Sequence, residues 1–265
     1  MSVERDARNP SDGSGEGHGS LAEPVVLSWT DRWIAIDKPS GLPSRPTPRR
    51  EPSALSLVED WLPRRQQNPP APGVVHRLDR DTSGVLLFSL GPEAHRALVR
   101  AFSERRLRKE YRAVVAGLPR PHRGLIDLPL RRNASGRVVP SKEGRPARTR
   151  YETIRRMEGV SYLHLELLTG RTHQIRVHLE ARGTPVLGDR LYGGTAVPRL
   201  SPPRLCLHAR RLVLPHDLLR ELAPIEDRLR GEALTPNCPE GFEITAPDPR
   251  ELRAYLRRLR SRGGS

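Results

Sequence analysis

The stretch VVHRLDRDTSGVLLFS, residues 74–89, sets a histidine, two arginines and two aspartates between two apolar runs. Read at strand period, it places His76 and Leu78 on one side and Arg77 and Asp79 on the other, until RDTSG breaks the strand. Asp79 then stands where a strand ends in a turn, fixed by the sheet yet open to a ligand. A carboxylate so placed can act as a nucleophile or a general base. Asp81, Thr82 and Ser83 are types that close a turn on backbone amides, and Asp81 and Thr82 are read that way. That reading leaves Asp79 unexplained, because charges are rarely packed so densely between buried runs.

A second constellation is TGRTHQIRVH, residues 169–178. A short helix after Gly170, with Thr172 as N-cap and Gly183 as its stop, puts His173 and Arg176 on one face and Arg171 at the mouth. Helix N-termini and arginines both attract phosphate or carboxylate. His173 and His178 are five apart, not four, so they do not form a helical zinc pair and no metal is expected. Tyr111 sits in KEYRAVVAG, where it shares a strand face with Ala113 and Val115. Taken alone, a tyrosine there is more often core than functional. Two functions could draw on these residues. A metal-dependent nuclease would use His76, Asp79 and Asp81 and would be silenced by a chelator. A non-catalytic RNA-binding protein or RNA chaperone would need the basic residues only.

The elements that must position these residues can be read in outline. PVVLSWTDRWIAIDKPSGLPS, residues 24–44, is a hairpin feeding an irregular loop in which Pro39, Gly41 and Pro43 forbid regular structure. Residues 53–62 look helical, and PRRQQNPPAPG is a Pro-rich loop. From Pro92, Ala94, Leu98 and Phe102 share one helical face, and the other face is basic. KEYRAVVAG and YLHLELLTG alternate at a period of two, with Leu163, Leu165 and Leu167 on the core side of the second. RLCLHARRLVL reads as a strand pair. In DPRELRAYLRRLR, Asp248 is placed as N-cap and Glu251 completes a capping box, and Leu252, Leu256 and Leu259 form an apolar stripe. Strands and helices mix without regular alternation, which predicts an α+β fold with a largely antiparallel sheet.

The chain has 265 residues, enough for one large core, with 46 Lys plus Arg against 31 Asp plus Glu and a net charge of +15. That balance draws it toward polyanions, nucleic acid first. Only Lys38, Lys109 and Lys142 are lysines, so the positive charge is nearly all arginine, whose planar fork suits phosphates and stacks on bases. Residues 1–24 are Gly- and Ser-rich and read as a disordered tail, as do 263–265; residues 25–262 are read as the folded domain. Cys206 and Cys238 show no paired spacing, which suits a reducing cytoplasm, and no apolar run approaches a membrane span.

Taken together these motifs resemble the RluA family of pseudouridine synthases. HRLDRDTSG at 76–84 is similar to its catalytic motif and LLTGRTHQIRVHL at 167–179 to its later one. IAIDKPSGLP, KEYRAVVAG, GTPVLGDRLYGG and RLCLHARRL follow in the family's order. The resemblance implies the pseudouridine-synthase fold, a mixed, mostly antiparallel central sheet flanked by helices and split by an active-site cleft. It implies isomerisation of uridine to pseudouridine in ribosomal or transfer RNA, with Asp79 as catalytic aspartate, Tyr111 against the target base and Arg176 paired with Asp79. Arg77 is similar to the arginine that helps displace the target nucleotide, and Arg80, Arg106, Arg171 and His173 are further candidates for holding RNA. Nothing is oxidised or hydrolysed in this reaction, so no cofactor and no metal is required. Relatives often carry a separate N-terminal RNA-binding domain, and the residues before the first strand are too few to form one. The sequence departs from the family at Arg45, where relatives often have histidine, and residues 219–241 read as a surface insertion. A cleft built within one chain needs no second subunit, which predicts a monomer.

Overall fold

The computed structural model describes residues 23–49, 51–157, 159–193, 201–223 and 237–262. The expected tail at 1–24 lies outside them apart from its last two residues, as do much of the 219–241 segment and the end at 263–265.

The first hairpin, β1 (Val26–Trp29) and β2 (Trp33–Lys38), is closed by the Thr30 hydroxyl, which accepts from the amides of Arg32 and Trp33. Helix α1 (Ala54–Trp61) begins on Ser53, which forms a reciprocal capping box with Ser56. There follow β3 (Pro72–Val74), β4 (Ser83–Leu90), α2 (Pro92–Ser103) and β5 (Arg108–Ala116). The arginine-rich middle of the chain supplies β6 (Arg123–Asp127), a small hairpin of β7 (Leu130–Arg132) and β8 (Val138–Pro140), and β9 (Arg148–Met157). The rest is β10 (Val160–Leu167), α3 (Gln174–Ala181), β11 (Leu207–Pro215), α4 (His216–Leu222), β12 (Gly241–Thr245) and α5 (Arg250–Arg262).

Ten strands form one sheet in the order β1-β2-β4-β11-β5-β10-β9-β6, with β3 on β4 and β12 on β11, while β7 and β8 pair separately. Every pairing is antiparallel except β4 with β11, which is parallel and only two residues long, Ser83 and Gly84 against His208 and Ala209. Beyond this seam β4 continues with β3 and β11 with β12, so the two halves of the sheet splay apart. At Gly84, φ is +112° and a Cβ would stand 2.1 Å from the Ala209 carbonyl oxygen, so only glycine lets the strands meet. Ser83 donates to His208 Nδ1 at 2.9 Å, and His208 Nε2 faces the Ala246 carbonyl. Burial pushes the His208 imidazole down to about 4, which suits a neutral ring bonded on both nitrogens.

One core lies between the sheet and α1, α3 and α5, with Ile36, Leu86, Leu163 and Leu165 meeting Val58, Ile175 and Tyr255. Another holds α2 and α4 against the sheet through Leu98, Ala101, Leu218 and Leu222. A third, formed by Leu130, Val138, Ala147, Val177 and Tyr192, seats the β7-β8 hairpin by α3.

Several expectations need correction. Residues 75–79 are not a strand: β3 stops at Val74, β4 starts at Ser83, and the segment between is irregular. Its backbone bonds go to a neighbouring loop, a tertiary preference that strand period cannot reveal. The side chains of Asp81, Thr82 and Ser83 make no turn bonds to backbone amides; the turn is the Thr82 amide on the Asp79 carbonyl, 3.1 Å. Helix α2 ends at Ser103 with Ala94, Leu98 and Phe102 on its core face as read, Phe102 half-buried and stacked on His76. Helix α3 begins at Gln174 with His173, not Thr172, in the N-cap position at φ 56°. RLCLHARRLVL contributes one strand, not two, with a register shift between Ala209 and Arg211 and no turn residue to fold it back. Asp248 accepts from the Tyr162 hydroxyl at 2.7 Å and Glu251 pairs with Arg204, so the capping box read at α5 is not formed. The α5 stripe is Leu252, Tyr255 and Leu259, with Leu256 at its margin.

Candidate active site

Asp79 lies in the irregular segment four residues before the parallel seam. What fixes it is the loop after β2. Lys38, fully buried, donates to the carbonyls of Pro39, Leu42 and Arg80 at 2.7–2.8 Å. Burial pushes the Lys38 ammonium down to about 7, opposed by Asp81 and Asp79, and its three carbonyl acceptors offset the lost hydration. The Gly41 amide donates to the Arg80 carbonyl at 2.9 Å. Ser44 donates to the Leu78 carbonyl and accepts from the Leu78 amide, at 2.8 and 3.0 Å. The DKPSGLPS loop therefore grips residues 78–80 from both sides, as a neighbouring strand would.

The Asp79 carboxylate accepts from Arg176 Nη1 at 3.2 Å, and His173 Nε2 stands 3.9 Å from its other oxygen. Arg176 turns its remaining edge to Asp189, donating from Nε at 2.7 Å and Nη2 at 2.8 Å in a bidentate pair. Asp189 is itself buried and also accepts from the amides of Leu191 and Tyr192. Burial alone would lower the Arg176 pKa, but the hydrogen bonds and charges of Asp189 and Asp79 together hold it above the ordinary arginine value. Tyr192 lies under the Arg176 guanidinium, 5.1 Å from ring centre, and its hydroxyl meets His173 Nδ1 at 2.9 Å. Burial lowers the His173 pKa, and Arg176 adds to this against the pull of Asp79, so the ring is neutral at physiological pH.

These groups open into a cleft of 580 Å³ that includes Asp79, Tyr111, His173 and Arg176. This is within the roughly 300–1,000 Å³ of small-ligand pockets, room for one nucleotide but not for a stacked helix. Tyr111, on β5, is paired with Ala209, which also faces Gly84 across the seam, so the tyrosine and the Asp79 segment approach the same junction from opposite strands. Burial, reinforced by the Asp79 charge, raises the Tyr111 pKa above the ordinary phenol value, so the hydroxyl keeps its proton at neutral pH.

Of the arginines singled out from sequence, Arg77 is exposed at the mouth and Arg171 lines the cleft, its Nε held by the Pro146 carbonyl. Arg80 lines an adjoining depression of 330 Å³ and is paired with Glu51. Arg106 stands apart from the cleft lining and is paired with Asp217 and Glu221 of α4. His76 accepts from the Leu87 amide at 3.0 Å and stacks on Phe102; burial, aided by Lys109, pushes its pKa down to about 3. Its Nε2 is thereby occupied, and the His76, Asp79, Asp81 set of a nuclease does not converge: among the described residues no group of three His, Cys, Asp or Glu is placed to hold a metal. His178 is likewise occupied, by Thr149 and the Leu128 carbonyl.

Sequence reading missed Asp189, Gln174 and Arg105. Gln174 anchors the loop before α3, bonding Thr169, Thr149, the Arg171 amide and the Arg148 carbonyl. The signal for Asp189 was present in GDRLYGG, where an aspartate precedes two amides that can cap it, though nothing local ties it to Arg176.

Comparison with known proteins gives the family. Residues 32–181 match the family model described as RNA pseudouridylate synthase. That match defines the class. The chain is 39% identical over 207 residues to the dual-specificity RNA pseudouridine synthase RluA of Escherichia coli K12, covering 76% of this chain and 92% of that protein. It is 42% identical over 195 residues to an uncharacterized RNA pseudouridine synthase of Chloroflexus aurantiacus, covering 72% of this chain and 54% of that protein. The solved structure of human RNA pseudouridylate synthase domain containing 1 superimposes with a TM-score of 0.66 at 26% identity, over 88% of this chain and 86% of that one. The chain belongs to the RluA family of RNA pseudouridine synthases, and is accordingly an isomerase acting on RNA. Among the described residues no helix is long and apolar enough to cross a membrane.

Proposed function

We propose that this chain converts specific uridines of ribosomal RNA, transfer RNA or both to pseudouridine, with Asp79 as the catalytic carboxylate, and that it works as a cytoplasmic monomer whose residues 25–262 are one catalytic domain. The observation that carries this reading is the Asp79–Arg176–Asp189 chain set in a cleft of one-nucleotide size opposite Tyr111. The reaction breaks the bond from ribose C1′ to uracil N1, turns the base, joins C1′ to C5, and moves the C5 proton to solvent while N1 gains one. Asp79 can attack C1′, remove a ribose proton or add to the ring, and Arg176 orients it for any of these. Tyr111 supplies a buried aromatic face on which a detached uracil can stack and turn instead of escaping. A neutral His173 leaves Arg176 as the cation beside the carboxylate.

A stacked uridine must first be flipped out, at a cost of a few kcal/mol that backbone contacts offset. Arg77 is exposed at the cleft mouth without an ion-pair partner among the described residues, which supports a part in displacing it, and Arg171 and His173 line the cleft that would receive it. Replacement of Asp79 by Asn is expected to abolish pseudouridine formation while leaving folding and RNA affinity nearly intact. The check is carbodiimide mapping of total RNA from deletion cells complemented with wild type or Asp79→Asn. Signals restored by both proteins would overturn the assignment.

A further inference from the structure

The cleft contains more positive charge than the reaction at Asp79 uses. Arg105, Lys109, Arg145 and Arg171 all line it, and among the described residues none has a carboxylate within ion-pair distance. Their sequence neighbours are neutralised: Arg106 by Asp217 and Glu221, Arg108 by Glu110 and Glu240. Burial and then Arg105 lower the Lys109 pKa, and burial, Arg145 and Arg105 lower that of Arg171. Lys109 Nζ lies 3.7 Å from where a Gly170 Cβ would stand, so it sits against the loop that carries Arg171.

Arg105 adds a second, independent observation. It follows the C-cap of α2 at φ 61°, with the Arg106 amide on the Ala101 carbonyl and the Arg105 amide on the Phe102 carbonyl. Glycine is the usual residue at this position, because a side chain in the left-handed region costs roughly 1 kcal/mol. The chain instead carries a long cation there, exposed and turned into the cleft. His173 is also left-handed and also lines the cleft. Strain at a functional surface of this kind points to what the side chain does.

We propose that Arg105, Lys109, Arg145 and Arg171 form a phosphodiester subsite that holds the RNA backbone beside the uridine in the cleft. This rests on the reading that RNA enters there. Clustered, unpaired guanidinium forks fit phosphate oxygens, and an isolated carboxylate ligand would not need four cations.

The test uses the whole chain and a fluorescent oligouridylate of about ten nucleotides, with Kd measured across salt concentrations. Arg105→Gly removes the charge and relieves the left-handed backbone, so folding is preserved. It is expected to weaken binding roughly tenfold and to flatten the slope of log K against log salt by about 0.7, one single-strand phosphate contact. Arg145→Ala should do the same. Arg257→Ala, on the exposed side of α5, removes equal charge outside the cleft and should leave the slope unchanged. Wild-type slope and affinity in Arg105→Gly, equal losses in Arg257→Ala, or no binding by wild type would each overturn the subsite. Wild type that binds with the expected slope yet makes no pseudouridine in any cellular RNA would defeat the functional reading alone.

Discussion

Arg176 faces two carboxylates, and they have different surroundings. Asp79 is partly open to the cleft, while Asp189 is sealed and held by two backbone amides besides the guanidinium. Asp189 thus sets the angle at which Arg176 presents Nη1 to Asp79. In Asp189→Asn the buried guanidinium loses its bidentate counter-charge, and a displacement of the order of 1 Å at Asp79 is enough for about a 100-fold loss in kcat. KM for RNA should change little, because Asp189 does not line the main cleft. Single-turnover rates at saturating RNA are the check, and an equal rise in KM with unchanged kcat would make Asp189 a binding residue instead. Asp79 and Arg176 could be singled out from local motifs; GDRLYGG marks Asp189 only as a turn aspartate, and nothing local shows that it holds Arg176, thirteen residues away on another element.

Among the elements, the loop from Lys38 to Ser44 does the most to build the site. Its prolines and glycine mark it in sequence as irregular, and it is irregular. What it grips is a matter of tertiary packing: Ser44 and Leu78 are 34 positions apart, and Lys38 and Arg80 are 42 apart. Ser44→Ala would leave the Leu78 amide and carbonyl buried without that partner, at about 2–3 kcal/mol. Urea unfolding should report that loss, and kcat should fall more than RNA affinity because Asp79 is the residue set loose. An unchanged midpoint would show that water or a shifted backbone takes over the bonds. The strands from β6 to β9 were not legible at all. In β9, RTRYETIRRM, the buried face is carried by Thr149 and Tyr151 between arginines, so the apolar contrast on which period-two reading depends is weak.

For the whole molecule, the buried histidines predict how stability varies with pH. His208, fully buried and bonded on both nitrogens, has a folded pKa of about 4, below the roughly 6.5 of an unfolded chain. Below pH 6.5 the unfolded state therefore takes up a proton that the folded state refuses. The stabilisation from this group is complete above pH 6.5 and is lost as pH falls toward 4, about 3 kcal/mol over that window. His76 acts in the same sense, with a smaller share because it is only half-buried, and Asp37, raised to about 6 by burial, acts in the opposite sense. The denaturation midpoint should drop from pH 7 to pH 5, and His208→Gln should flatten that dependence. A midpoint independent of pH in this range would mean that His208 stays accessible.

The sequence by itself determined the class of fold, the first hairpin, the helices with clear periodicity and the basic character, since residue type and local spacing carry that information, while Asp79, Tyr111 and Arg176 were marked as site candidates by their likeness to the family's motifs. Tertiary structure alone decided that residues 75–79 are a gripped loop and not a strand, that Asp189 stands behind Arg176, and that Arg105 faces the cleft while Arg106 is neutralised beside it. In each of these cases the deciding partner is distant in the chain, and a hydrogen bond or ion pair between distant residues leaves no periodic trace. Two adjacent arginines look alike in sequence; a left-handed turn at the end of α2 sends one to the cleft and the other to the carboxylates of α4.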